Sequence, residues 1–562
     1  MRRILSLTLF AVTALLSVHC TPLYAQRVDV TNGPELDNDR DNKMNRMIDG
    51  DDNSFYCYRV RSRGRGTSFY IEKYDKAKLT PVFSKEVEFA DDKAIVEDIK
   101  YADGNVYLFT RIYDKKADKM NLCYQVISGT GKISETYRLA AVKADHYEFV
   151  DIDITQNPSH TKLLVKISHK PSKEGRYTTD FHLVNIADMK ILWTKTVDGK
   201  MFSGNENSFS SMGFGFVSIY FRNDIGCLGV KLDDNDNVYY AYLEDARNSS
   251  ERERQYALKL GYFPAGENNA RILDLPFDDN YWVKDIEFMQ NKPGELVIGG
   301  FLKDVIERRG RDLVKCGIFS FTVDLNSFSV KAHPVRTFDD RMLAALESNK
   351  KRSRYFKYKL DYILPVGDDV FYVGQQYKEE MVTTTRYNAG GFGGSGFGSG
   401  SSSTHWDYEY MDVIVAKLNK DGQFEWIKNA PHRNNVRLSS SHVFKQYFAV
   451  ATPGNIYIFN NDHPKNLERY AKADYEPQDL KNVSGIHGSN FVFSSVSTGN
   501  GAIKHKLIFE NDKYCFAPIQ ERNFQFTPPA DAEIFVRGKN NEIFVYTEDR
   551  GRDRFEKLTI VE

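Results

Sequence analysis

Helical periodicity is nearly missing from this chain. Only Asp339 to Ser348, with Met342, Leu343 and Leu346 at helical spacing, reads as a helix, which argues against helical bundles and doubly wound α/β folds. Cysteine is scarce as well. The chain holds 6, widely spaced and with no Cys-x-x-Cys pair, which excludes a zinc knot and a thiol redox motif. Cys57, Cys123, Cys227, Cys316 and Cys515 lie in strand-like surroundings and read as small buried hydrophobes, with one disulfide pair left open. A charge excess is also lacking. The 76 basic and 77 acidic residues nearly cancel, and a general nucleic-acid binder would be basic.

One long apolar run exists, and it stands at the start. Arg2 and Arg3 precede an apolar stretch from Ile4 to Val18, and Leu23-Tyr24-Ala25 offers a small residue at a cut before Gln26. Residues 1–25 therefore read as an export signal. Cys20 follows His19 rather than a small residue, which favours ordinary cleavage over lipidation. Losing Arg2 and Arg3 leaves 74 basic against 77 acidic residues, a net charge of −3. No later segment reaches 18 apolar residues, so no transmembrane helix is expected.

Catalytic signatures are absent too. The sequence has no Gly-x-Ser-x-Gly nucleophile elbow and no His-Glu-x-x-His. The Gly/Ser-rich stretch Gly390 to Ser403 lacks the Lys-Ser/Thr of a phosphate loop. Asp233 to Asn237, with Glu244, imitates a calcium loop, but Val238 stands where glycine is needed, so a polar hairpin turn is the better reading. Asp37, Asp39 and Asp41 lack both the glycine and the final glutamate, and read as a solvated leader. Asp462 and His463 make too small a set for zinc and read as turn chemistry. The basic clusters Arg61 to Arg65, Arg308 to Arg311, Lys350 to Arg354 and Arg550 to Arg554 read as hairpins charged for solubility. No metal, cofactor or catalytic residue is assigned.

What the sequence has is strand pattern. A strand, a tight turn and a more apolar strand recur eight times. The turns fall at Asp49-Gly50, Asp103 to Asn105, Asn157-Pro158, Asp233 to Asn237, Pro293-Gly294, Gly367-Asp368, Pro453 to Asn455 and Lys539 to Asn541. The apolar strands that follow are Phe55–Tyr58, Val106–Phe109, Leu163–Ile167, Val238–Tyr242, Leu296–Gly299, Val370–Val373, Ile456–Phe459 and Ile543–Tyr546. Several are apolar on both faces, as a strand inside a stack of sheets must be. The second half of the unit also repeats: Asp188 stands five residues before Trp193, and Asp421 five before Trp426.

Weak repeats of this length predict an all-β chain forming a single β-propeller over residues 26–562, with four-stranded blades. Eight blades are favoured and seven is the alternative, because Phe214 to Phe221 fits no slot and residues 461–489 interrupt the seventh copy. The last copy shows three strands, and Arg27 to Val30 is expected to supply the fourth and close the ring.

The segments Lys417 to Lys428, Phe371 to Tyr377 and Phe459 to Asn466 resemble exported β-propeller-like proteins of Bacteroidota. The resemblance implies a propeller fold and a place in the cell envelope, periplasmic or on the outer-membrane surface, and it implies no reaction. Residues 387–405 are expected to form a mobile hairpin insert. Phe392, Phe397, His405, Trp406, Tyr408 and Tyr410, in and beside it, are the candidate partner contacts. The function expected is a non-catalytic scaffold binding an envelope protein or glycan. The alternative is a carbohydrate-active hydrolase or lyase with carboxylates at a central channel.

Overall fold

The computed structural model describes residues 27–37, 42–63, 66–143, 150–169, 177–199, 201–202, 228–245, 256–277, 281–283, 286–304, 316–338, 356–387, 400–438, 445–472, 479–484, 488–509, 515–517, 534–549 and 552–562. The export signal, the predicted helix at 339–348, the run Phe214 to Phe221 and the pair Phe392 and Phe397 lie outside them.

The protein is all-β. Its described strands form eight sheets built as antiparallel meanders that follow one another along the chain, four of them four-stranded and the others with five or six strands, with one parallel pairing, Val483–Ser484 on Asn434–Leu438. The first is Asn42–Ile48, Ser54–Arg63, Gly66–Asp75 and Pro81–Val87. Each apolar segment picked out by the repeat is the second strand of one sheet, from Ser54–Arg63 in the first to Glu542–Asp549 in the eighth.

Local chemistry explains these hairpins. Asp103 (φ 46°) with Gly104 (φ 75°), and Asn540 (φ 53°) with Asn541 (φ 62°), place residues that tolerate left-handed backbone at the two central positions of tight turns. The strands between turns are β-branched and aromatic. Second strands are covered on both faces: all eight residues of Asn455–Asp462 are buried. Fourth strands such as Pro81–Val87 are mostly exposed.

Burial on both faces comes from neighbouring sheets. One apolar cluster joins sheets one and two through Tyr56, Ile71, Val106 and Leu108. Further clusters join two to three, three to four, four to five, five to six, six to seven and seven to eight. An eighth cluster packs Phe55, Tyr74 and Leu79 of the first sheet against Phe544, Tyr546 and Phe555 of the last. Each fully buried Tyr or Phe in such a cluster contributes about 1.5–3 kcal/mol. First strands of successive sheets also lie side by side from the first sheet to the seventh, and that of the eighth lies beside that of the first.

The N-terminal strand Arg27–Asn32 pairs with the C-terminal strand, Arg27 opposite Val561 through Asn32 opposite Glu556. Buried ions reinforce this junction. Arg59 Nε donates to Glu72 at 2.6 Å, and an Arg59 terminal nitrogen donates to Asp553 at 2.7 Å. Tyr74 and Tyr546 hydroxyls donate to the same two carboxylates at 2.7 Å each.

Cys57, Cys123 and Cys316 are buried, the first two as free thiols. The polar interruption at 461–489 contains the one helix among the described residues, Pro464–Tyr470, which the periodicity reading missed.

Candidate functional site

Antiparallel meanders sort their connections onto two ends. First-to-second and third-to-fourth turns share one end. Second-to-third hairpins and the links between sheets share the other. Buried ions gather toward this second end: Arg46 with Asp98 at 2.5 Å, Lys166 with Asp151 at 3.4 Å, and the Arg59 group. A polar cluster there lies between sheets six, seven and eight.

A bulge creates it. Strand Asp369–Tyr387 pairs with strand Gly400–Leu418, but the register slips between Gln375 (opposite Val413) and Tyr377 (opposite Tyr410). Met411 and Asp412 together face Gln376, and such a bulge re-aims side chains. At the same point Gly400–Leu418 exchanges its outer neighbour, from Phe424–Ala430 to Asn434–Leu438. The intervening Pro431-His432-Arg433 crosses the bulge. The His432 amide donates to Asp412 at 3.2 Å, and Arg433 pairs with Asp412 and donates to the His432 carbonyl at 2.7 Å. His432 Nδ1 lies 2.5 Å from Gln375 Nε2.

Sheet seven supplies the other half. Asn434 Nδ2 donates to Gln446 Oε1 at 3.0 Å, and Asn461 Nδ2 to the Phe516 carbonyl at 2.6 Å. Asp462 accepts from Tyr470 at 2.7 Å, Asn466 at 2.7 Å and the His463 amide at 2.8 Å. His463 is the N-cap of the helix, its Nδ1 accepting from the Lys465 amide at 3.1 Å, so the Asn-Asp-His-Pro segment is turn and capping chemistry.

The electrostatics follow from burial. Burial pushes the Asp412 carboxyl up, with Arg433 pulling the other way. Burial also raises Asp462, against the hydrogen bonds it accepts. Burial, then the nearby Arg433 charge, lowers His432 to about 3, so its ring is neutral at ordinary pH. Among the described residues, His432 Nε2, Asn434 Oδ1, Gln446 Nε2 and Asn461 Oδ1 are buried without a hydrogen-bond partner. The cluster can therefore hold neutral polar groups. It is poorly made for acid–base work: its carboxylates are engaged by donors, and its histidine does not protonate near neutrality. Among the described residues no group of three His, Cys, Asp or Glu is placed to hold a metal ion. Asp233 spends its oxygens on its own turn, accepting from the Asn235 and Asn237 amides at 2.9 Å each and from Tyr239 at 3.1 Å.

The sequence-predicted contacts sit beside this cluster. Beyond the bulge the two long strands continue as an extended hairpin, paired from Tyr377↔Tyr410 to Tyr387↔Gly400, so that 400–405 belongs to a strand. Ten residue steps give it a reach of about 33 Å. His405 and Trp406 are half-buried on it. Tyr408 and Tyr410 are buried, each 1% exposed, and pack with Tyr377 and Val436. These two tyrosines stiffen the hairpin and do not present a surface. Alternation along a strand puts residues 406, 408 and 410 on one face, and a third strand, Asn434–Leu438, lies against them. Arg437 donates to Asp407 at 2.8 Å across this pairing and holds its carboxyl below the usual range.

Sequence reasoning did not find His432, Arg433, Gln446, Asn461 or Asp412. The available signal was the polar run His432 to Asn434 after the strand Phe424–Ala430, with Pro431 marking a break in the ladder.

No protein-family model matches the chain, and no curated protein matches it. Among solved structures, prolyl oligopeptidase B from Galerina marginata is 10% identical, covering 90% of this chain and 55% of its own, with a TM-score of 0.35. The polysaccharide lyase Uly1 is 9% identical, with 85% and 93% coverage and a TM-score of 0.34. The WD40 domain of SCAP from fission yeast is 8% identical, with 95% and 94% coverage and a TM-score of 0.32. The chain spans about half the length of the prolyl peptidases it matches.

Proposed function

We propose that this chain is a closed, eight-bladed propeller exported to the bacterial cell envelope, where it serves as a non-catalytic scaffold for a protein or glycan partner. Eight sheets, eight inter-sheet clusters including one between last and first, and the pairing of Arg27–Asn32 with the C-terminal strand support ring closure. A ring leaves no open sheet face, which removes an aggregation hazard. Export rests on the character of residues 1–25.

The observation that carries the binding role is the stiffened hairpin of sheet six. It extends well past its own sheet, is backed by Tyr377, Tyr408, Tyr410 and Val436, and carries Trp406 and His405, both half-buried. A long rigid projection with an aromatic on it suits recognition by contact. The engaged carboxylates and neutral His432 favour binding over catalysis.

The test compares tagged residues 26–562 with the His405→Ala, Trp406→Ala double variant, in crosslinked capture from the native envelope and on a glycan array. The expected result is loss of a stoichiometric partner, protein or glycan, at unchanged melting temperature. Equal capture by both proteins overturns the hairpin assignment, and glycan cleavage on the array overturns the non-catalytic reading.

A further inference from the structure

Sheets two and three meet across the apolar cluster that holds Phe109, Leu122, Val165 and Ile167. In sheet two, Phe109, Tyr124 and Tyr137 stand opposite one another on Asn105–Asp114, Lys119–Ile127 and Tyr137–Lys143, and residues directly opposite share a face. In sheet three, Ile167, Asp180 and Thr196 stand opposite one another on Lys162–Ser168, Tyr177–Asn185 and Lys190–Gly199, as do Val165, His182 and Thr194. Tyr124 and Tyr137 are therefore turned toward sheet three, and Asp180, His182, Thr194 and Thr196 toward sheet two. Cover on these facing sides fades outward: residues 106–110 are buried throughout, whereas Tyr137, Thr194 and Thr196 are exposed. The outer strands thus border an open wedge.

One wall of the wedge is aromatic. Tyr137 is 47% exposed, the one aromatic among the exposed large apolar side chains of the described residues. Its ring lies 5.5 Å from that of half-buried Tyr124, tilted by 35°, so the two form a platform. The other wall is polar. Thr196 donates to one Asp180 oxygen at 2.6 Å, and His169 Nε2 lies 3.0 Å from the other. His182 Nδ1 lies 2.8 Å from the Thr194 hydroxyl. The bond to His169 leads the effects that hold the Asp180 carboxyl below its usual range, so it is ionised.

We propose that this wedge is a binding site for a neutral sugar residue of a glycan. A sugar ring has an apolar C–H face, which the Tyr137 and Tyr124 platform covers, and a rim of hydroxyls, which the opposite wall engages. The Asp180 carboxylate accepts from a sugar hydroxyl, a charge-assisted bond, and the exposed Thr194 and Thr196 hydroxyls supply further donors and acceptors. A uronic or sulfated sugar is disfavoured, because its charge would face Asp180. The site lies on other sheets than the hairpin of sheet six, and it stands whether or not that hairpin binds a partner.

Isothermal titration of residues 26–562 with cellohexaose, xylohexaose and mannohexaose, and with the acidic hexagalacturonate, tests the assignment. Saturable binding of at least one neutral hexaose, and weaker or no binding of hexagalacturonate, is expected. Tyr137→Ala is expected to weaken the neutral sugar at least about tenfold, as truncation of an aromatic anchor does, whereas Tyr137→Phe keeps the ring face and the affinity. Thr196→Val, the same shape without the hydroxyl, is expected to weaken it about three- to tenfold. Ile272→Ser, on the exposed strand Arg271–Asp274 of sheet four, is expected to leave it unchanged. Circular dichroism melts matching the wild type verify folding of all variants. No binding of any neutral hexaose, equal or tighter binding of hexagalacturonate, binding that ignores Tyr137→Ala or Thr196→Val, or binding lost in Ile272→Ser overturns the proposal.

Discussion

Replacing Arg59 by methionine tests the junction between first and last sheets. Arg59 is 3% exposed and bridges Glu72, 6% exposed, and Asp553, 1% exposed. Methionine keeps most of the volume and removes the charge. Stripping one partner from a buried ionic group costs about 3–5 kcal/mol, because a charge is left uncompensated. Here both carboxylates keep other donors. Arg61 remains 3.9 Å from Glu72, and Tyr74 and Ser84 still donate to it, while Asp553 keeps the Tyr546 hydroxyl, so both carboxylates stay partly compensated. The low end, about 3 kcal/mol, is therefore expected. An unfolding entropy of about 2.1 cal/mol/K per residue over a chain of this size makes that a fall of about 3 °C in Tm. Hydrogen exchange should rise first in Ser54–Arg63, Arg552–Val561 and Arg27–Asn32, which share the junction. In a Glu72→Gln, Asp553→Asn background the same Arg59 change should cost much less. A loss under about 1 kcal/mol, or protection lost evenly across all eight sheets, would refute the junction argument.

Three further outcomes are expected. His505 is half-buried against the Tyr470 ring at 4.1 Å with its Nδ1 2.8 Å from Ser494 Oγ, and desolvation lowers it to about 4. The unfolded chain then binds the proton first, so stability falls as pH drops from about 6.5 toward 4, by on the order of 2–3 kcal/mol; His505→Gln should flatten that slope in urea titrations. Gly299→Ala would set a Cβ 2.1 Å from the ring of Tyr372, which is fully buried and bonded to Ser320 at 2.7 Å. A loss near the top of the roughly 1–3 kcal/mol overpacking range is expected by chemical denaturation, against under about 0.5 kcal/mol for Gly499→Ala. Tyr408→Ala should release the hairpin, raising proteolysis between Tyr377 and Val436 while the cores of sheets one to five keep their exchange protection.

The sequence by itself determined the strand order. Doubly apolar segments such as Val106–Phe109 and Ile456–Phe459 cannot face water on either side, and Asp-Gly or Asn-Asn turns leave hairpins as the short route between them. The pairing of Arg27 to Val30 with the last strand was legible because one copy lacked a strand and one strand lacked a copy. What only the tertiary structure decided was the use of side chains whose neighbours are distant in sequence. Tyr408 and Tyr410 look like surface aromatics beside a Gly/Ser insert, yet Val436 and Tyr377 bury them. Arg59 looks like one of many surface charges, yet it meets Asp553, 494 positions away. Asp412 and His432 have no motif, because a bulge and a change of strand partner bring them together. A strand's burial is written in its own period of two residues, whereas a polar site belongs to whichever strands happen to end beside it.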